Sequence, residues 1–188
     1  GGEVPVLTFP TTIIGALNHA ADVDRFKFHA EAGQELIFAI TDSANNSVLR
    51  LRDAQGTELA RSEDYGTLGN PRLGHRFAEA GEYFIEFSDP NMRGIGYRLH
   101  AGPFPFVYRT EPLGIPAGAP QQVRVHGFNV GAETLEVTPP ESAKPGQTIP
   151  LPLPAYEANP VSSVVLALDQ YPNVPQAAPN HTPGQAQA

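Results

Sequence analysis

Apolar and polar side chains alternate along much of residues 11–101. The stretch from Asp24 to Ala30 shows this most clearly, because its apolar residues and its basic residues fall on alternate positions: Phe26, Phe28 and Ala30 against Arg25, Lys27 and His29. A period of two buries one face of a strand and leaves the other in water, as in antiparallel sheets. The pattern therefore predicts antiparallel β-structure.

The same region contains six further stretches that favour strands. They cover residues 35–40, 47–52, 57–61, 72–77, 82–87 and 96–100. Turn-forming sequences such as Asp53-Ala54-Gln55-Gly56 separate them. No segment keeps a helical period over three turns, so short strands at this spacing predict an antiparallel β-sandwich of the jelly-roll type.

The chain changes character after Gly102, since sixteen of its twenty prolines lie in residues 102–188. Strands are predicted over residues 122–130 and 133–137, and within 145–149 and 162–168. Proline cannot donate to a sheet ladder, so these strands are expected at sheet edges. We predict a β-sandwich over 1–101, a smaller, proline-rich β unit over 102–169 and a disordered tail over 170–188.

Charge and composition exclude several functions. The net charge is −8 and neither half is basic, so nucleic acid is not an expected partner. The absence of cysteine excludes a disulfide scaffold, a thiolate zinc site and a thiol nucleophile. No apolar run approaches the roughly 18 residues of a membrane-spanning helix, so no membrane span is expected.

Seven short motifs follow one another in the first half of the chain. They are Gly15-Ala16-Leu17, residues 22–28, residues 32–36, residues 49–53, Leu59-Ala60-Arg61, residues 81–85 and Gly96-Tyr97-Arg98-Leu99. In this order, over about residues 11–101, they resemble the bacterial pre-peptidase C-terminal domain. The resemblance implies a jelly-roll-like β-sandwich that is appended to secreted peptidases and envelope proteins and is usually non-catalytic.

A second motif lies after residue 104. Val123, Val125, Gly127 and Asn129 form the pattern Val-x-Val-x-Gly-x-Asn. This resembles the opening strands of IPT/TIG-type repeats. It implies that the smaller β unit is immunoglobulin-like.

Asp22 and Asp24 are the candidate metal ligands. They are two residues apart and share a face on a strand, where a cation such as calcium would relieve their repulsion. In the collagenase branch of the resembling family, calcium lies between an acidic N-terminal linker and aspartates near the first strand. Here Glu3 is the only carboxylate before Asp22. The alternative is that both carboxylates cap turn amides.

Three aromatic residues are candidates for a binding face: Phe84, Tyr65 and Tyr97. Phe84 falls on the strand face opposite Tyr83, Ile85 and Phe87. Aromatic rings on a sheet stack on sugars or pack against peptide strands. The alternative for Phe84 is that other parts of the chain cover it, because large exposed aromatics are uncommon on monomers.

The sequence contains no catalytic motif that stands out, such as a Gly-x-Ser-x-Gly elbow. We therefore expect a non-catalytic accessory module rather than an enzyme. The module would be part of a larger secreted or envelope bacterial protein and would bind or target that protein to an extracellular polymer or protein surface. The alternative is a structural spacer or maturation domain without its own ligand, stabilised by calcium if by any cofactor.

The first residues are Gly1-Gly2 rather than Met. We expect this sequence to be a segment of a longer exported polypeptide. The other domains of that polypeptide would then be partners, and the location would be extracellular or periplasmic.

Overall fold

The computed structural model describes residues 4–41, 47–63, 70–90, 95–156, 164–171 and 173. The regular secondary structure of these residues consists of strands and includes no helix. None of the described segments is therefore a helix long and apolar enough to cross a membrane. The chain divides into two compact units. The first is Gly1–Phe106, Gly127–Asn129 and Ala155–Ser162, and the second is Val107–His126, Val130–Pro154 and Ser163–Ala188.

Two sheets build the first unit. Their strands are β1 (Val6–Leu7), β2 (Thr11–Leu17), β3 (Val23–Ala30), β4 (Glu35–Thr41), β5 (Val48–Asp53), β6 (Glu58–Glu63), β7 (Arg72–Arg76), β8 (Gly81–Ser88) and β9 (Ile95–Gly102). The five-stranded sheet has the order β1-β3-β8-β5-β6, and the four-stranded sheet has the order β2-β9-β4-β7. Strand β1 runs parallel to β3, whereas the ladders of β8 with β3 and β5 are antiparallel.

The inward faces of these sheets enclose one apolar core. Phe28 of β3 is 1% exposed, and its ring centroid lies 5.2 Å from that of Phe38 in β4. The ring of Phe77 lies 5.8 Å away on another side. Alternate residues of β3, β5 and β8 reach this core, as the two-residue period predicts. The burial of apolar side chains from both sheets is what holds them together.

Strand β4 departs from the alternating pattern. Its inward residues are buried as predicted, but Ile37 and Ala39 on the opposite face are 0% and 1% exposed. They form a second apolar cluster with the buried Phe104, against which Phe128 and Tyr156 also pack. This strand is buried on both faces because aromatic side chains from later in the sequence cover the outer face of its sheet.

The second unit contains two three-stranded sheets. Its strands, apart from Phe106, Gly127 and Phe128, which belong to the first unit, are β10 (Phe106–Glu111), β11 (Gly114–Pro116), β12 (Gln121–Phe128), β13 (Thr134–Val137), β14 (Thr148–Pro150) and β15 (Val165–Asp169). The sheet orders are β10-β12-β13 and β11-β15-β14. A core of valine, leucine and isoleucine side chains, including the fully buried Ile115, Val123 and Leu166, lies within this unit.

The predicted all-β fold is confirmed. In the first unit, strands β3 to β9 agree with the predicted ones to within one or two residues at most ends, whereas β1 and β2 were not predicted. Strands β10 and β11 were not predicted, because the neighbouring prolines and the turn-like sequence 111–114 hide them. The immunoglobulin-like character of the second unit stays a prediction.

Candidate functional site

The outer face of the five-stranded sheet carries a cluster of charged side chains around one aromatic ring. We call it the charged face, and it consists of Arg25, Lys27, Arg50, Arg52, Phe84 and Glu86. Strand β8 runs between β3 and β5, so its outward residues meet basic residues from both sides. The alternation that buries Phe26 and Leu51 directs the neighbouring arginines and lysine outwards.

Glu86 is the central residue of the charged face and is only 4% exposed. Its Oε2 accepts a hydrogen bond of 2.8 Å from Nε of Arg52, and its Oε1 accepts one of 2.8 Å from Nε of Arg25. Burial alone would raise the pKa of the Glu86 carboxyl, but the hydrogen bonds from Arg52 and Arg25 outweigh it and lower the pKa below its usual value. The carboxylate therefore ties β3, β8 and β5 together.

Phe84 lies two residues before Glu86 on the same face and is half-buried. It is directly opposite Lys27 on β3 and Arg52 on β5. The guanidinium carbon of Arg25 lies 5.8 Å from the centroid of its ring. An aromatic ring on a flat sheet, with cations beside it, offers both a stacking surface and hydrogen-bond donors.

The basic side chains of this face have acceptors on neighbouring strands. Lys27 pairs with Glu82 at 3.0 Å, and Arg50 donates a 2.8 Å hydrogen bond to Oγ of Ser88. Glu58 of β6 lies 3.4 Å from Arg52. Side chains that are already held in one orientation lose less conformational entropy when they bind a ligand. The charged face is therefore preorganised.

The two predicted calcium ligands satisfy donors of the protein itself. Asp22 accepts a 2.8 Å hydrogen bond from the backbone N–H of Asn18, and this bond lowers the pKa of the Asp22 carboxyl. Asp24 accepts a 2.5 Å hydrogen bond from the hydroxyl of Tyr97. Among the residues with described positions, no three His, Cys, Asp or Glu side chains are grouped so as to hold a metal. The Asn18 contact favours the capping alternative for Asp22, whereas Asp24 binds a side-chain hydroxyl instead of a turn amide; the calcium site stays a prediction.

The structure corrects the expectation for Tyr97. This residue points into the sandwich and is 1% exposed, so its ring has no surface to offer a ligand. The ring centroid lies 4.4 Å from that of Phe87, and burial raises the pKa of the phenol. A buried tyrosine needs a partner for its hydroxyl, and Asp24 supplies one. Tyr65 lies outside the described residues.

Glu86 is the residue of this site that the sequence did not reveal. The alternation places Glu86, Arg25 and Arg52 on outward positions, but it does not show which strands are neighbours. The one available signal is an acidic residue at an outward position between the core residues Ile85 and Phe87. Only the pairing of β8 with both β3 and β5 brings the three charges together.

Comparison with known families supports the resemblance drawn from the sequence. Residues 22–88, which run from the loop before β3 to the end of β8, match the family model of the bacterial pre-peptidase C-terminal domain. No curated protein matches the chain.

Three solved structures are similar in fold at low sequence identity. The pre-peptidase C-terminal domain of a collagenase from Bacillus anthracis has a TM-score of 0.46 at 15% identity, over 54% of this chain and 96% of that one. PliG of Aeromonas hydrophila, a periplasmic inhibitor of g-type lysozyme, has a TM-score of 0.40 at 15% identity over 53% and 94%. The Yersinia pseudotuberculosis-derived mitogen has a TM-score of 0.37 at 16% identity over 50% and 86%.

Proposed function

We propose that this chain, which contains a bacterial pre-peptidase C-terminal domain, is a non-catalytic module that attaches a larger exported protein to an extracellular polymer or protein surface. The domain family is a non-catalytic accessory family of secreted bacterial proteins. We place the module in the periplasm or outside the cell, with the other domains of the parent protein as covalent partners.

The single observation that carries this proposal is the position of Phe84. Its half-buried ring lies on the outer face of the five-stranded sheet between Lys27 and Arg52, with Arg25 beside it. Large aromatic side chains are among the strongest contributors to binding surfaces, and arginine is the basic residue most enriched there. The ring would stack on a sugar ring or a peptide strand, and the basic side chains would donate to its hydroxyl, carbonyl or carboxylate oxygens.

A sedimentation assay with insoluble polymers tests the proposal. The full chain is mixed with fibrillar collagen, chitin, cellulose or peptidoglycan, and the bound fraction is measured. We expect binding to one of them, and we expect Phe84→Ala to weaken it by about tenfold, the loss of one aromatic contact.

Tyr108→Ala is the matched control, because Tyr108 is 63% exposed on β10 and lies outside the charged face. It should bind as the wild type does. Failure of the folded wild-type chain to bind any of the four polymers would count against this function, and so would an equal loss in both variants.

One observation favours a structural spacer instead. Arg25 and Arg52 already pair with Glu86, so part of the charged face is satisfied without a ligand. A spacer would need only the rigidity that this network confers. Deleting residues 11–101 from the parent protein distinguishes the two, because loss of a spacer or maturation domain impairs export or folding, whereas loss of a binding module impairs only attachment.

A further inference from the structure

The first unit has four sheet edges, and β2 differs from the other three. Strand β1 is only two residues long, which leaves little edge to pair with. Strands β6 and β7 carry charged residues, among them Arg61, Glu63 and Arg76. Short strands and charged side chains are the usual means by which proteins keep sheet edges from pairing with other chains.

Strand β2 carries neither form of protection. It is seven residues long, Thr11–Leu17, and contains no charged residue and no proline. It pairs with β9 on one side, and among the described residues no strand lies on its other side. In an antiparallel ladder alternate residues direct their N–H and C=O groups to the free side. This strand therefore presents a row of backbone donors and acceptors.

The outward residues of β2 are uncharged, although their register partners on β9 include Arg98 and His100. Ile14, the middle residue of β2, is 78% exposed on the outer face of the four-stranded sheet. Its outward neighbours on the strand, Thr12 and Ala16, are also exposed and uncharged. An isolated exposed isoleucine is ordinary, but here it lies on an edge that also offers free hydrogen-bonding groups.

We propose that β2 is a self-association edge, at which a second copy of this chain adds its own β2 in antiparallel orientation. The charge distribution favours a second copy as the occupant. The chain has a net charge of −8, yet no Lys, Arg, Asp or Glu lies between Glu3 and Asp22. Two copies can therefore approach along this strand without placing like charges opposite each other.

The sequence of β2 is also complementary to itself. When Ile14 of one copy is opposite Ile14 of the other, Ile13 is opposite Gly15 and Thr12 is opposite Ala16. A large residue thus faces a small one on each side of the two-fold axis. The two exposed isoleucines cover each other, and the two four-stranded sheets join into one continuous sheet. Because both copies use the same edge, such a two-fold interface leaves no β2 edge for a third copy.

Light scattering of the full chain after size-exclusion chromatography tests this. We expect the mass of two chains at high concentration and of one chain on dilution. Ile14→Lys should weaken the association at least about tenfold, because it places two lysines opposite each other. Leu113→Lys is the matched control, since Leu113 is also 78% exposed but lies outside β2, and it should associate as the wild type does.

A charge-swap experiment tests the register. At the lowest concentration at which the wild type has the mass of two chains, Ile14→Lys and Ile14→Glu should each be largely monomeric, and an equimolar mixture should regain the mass of two chains, because residue 14 faces residue 14 across the axis. Circular dichroism should show that both variants fold, as expected for an exposed position. A wild type that stays monomeric at every concentration overturns the proposal. So does a dimer that survives Ile14→Lys, or a mixture that stays monomeric. These outcomes are independent of polymer binding by the charged face.

Discussion

The hydroxyl of Tyr97 in β9 donates a 2.5 Å hydrogen bond to the carboxylate of Asp24 in β3 and so connects the two sheets of the first unit. The tyrosine is buried and the aspartate is half-buried. A hydrogen bond to a charged acceptor in such a setting contributes more than one between neutral, exposed groups. This contact is a property of the packed sandwich and gives the first prediction.

Tyr97→Phe should lower the free energy of unfolding by about 1–3 kcal/mol, because it leaves the Asp24 carboxylate without its donor. The measurement is chemical denaturation at neutral pH. Tyr83→Phe is the control, since its hydroxyl donates a 2.8 Å hydrogen bond to the exposed, uncharged backbone carbonyl of Glu79, and it should cost less than about 1 kcal/mol. Equal losses in the two variants would contradict a special role for the Asp24 contact.

Gly15 provides the space that the ring of Tyr97 occupies. A Cβ at Gly15 would lie 2.5 Å from both Cζ and the hydroxyl oxygen of Tyr97, which is its register partner on β9. We expect Gly15→Ala to destabilise the fold by about 1–3 kcal/mol through overpacking. Thermal unfolding followed by circular dichroism measures the effect.

Gly96 is the control for this substitution, because it lies next to Tyr97 in β9 and its Cβ would meet the backbone oxygen of Gly15 at an ordinary 3.5 Å. Gly96→Ala should change the stability by less than about 0.5 kcal/mol. A Gly15→Ala variant as stable as Gly96→Ala would show that the tyrosine ring can move aside without loss.

Glu86 should make the stability of the first unit sensitive to acid. Its folded-state pKa is lowered, so its stabilising contribution is fully present above the pKa of about 4.5 that the unfolded chain has, and is lost as the pH falls through the folded value. We expect Glu86→Gln to cost about 1–3 kcal/mol at neutral pH. The stability of the Glu86→Gln variant should also fall less steeply below about pH 4.5 than that of the wild type.

Glu82→Gln is the matched control on the same strand. The Glu82 side chain is 58% exposed and pairs with the surface residue Lys27, so its loss should cost less than about 1 kcal/mol. Denaturation curves at a series of pH values distinguish the variants. An acid profile of Glu86→Gln that overlays the wild type would show that the buried carboxylate does not control this transition.

Substitution of Asp22 distinguishes whether its carboxylate caps a turn or binds a metal. Because its carboxylate accepts the N–H of Asn18, we expect Asp22→Ala to lower the stability by about 1 kcal/mol, and by the same amount in calcium and in chelator. The measurement is the melting temperature of the full chain in both conditions. A wild type that melts higher in calcium, with the increment absent from the variant, would establish the calcium site that the family resemblance implies.

The alternation of apolar and polar residues was sufficient to predict much of the first unit. In β3, β5 and β8 it predicted the strand, its buried residues and the outward direction of Arg25, Arg50 and Arg52. It succeeded because side-chain direction in a strand depends on the local backbone alone. The ordered motifs of residues 22–88 identified the family for the same reason, since each is a short strand or turn with its own local requirements.

The tertiary structure alone decided what lies beside each strand. It buried Ile37 on the face of β4 that alternation assigned to water, and it turned Tyr97 inward to Asp24. It also placed Glu86 between arginines that are distant in sequence and left β2 as an uncharged edge. A strand's own sequence specifies which side chains point each way, but pairing across long loops determines which neighbours they meet, and that pairing is not encoded in any local period.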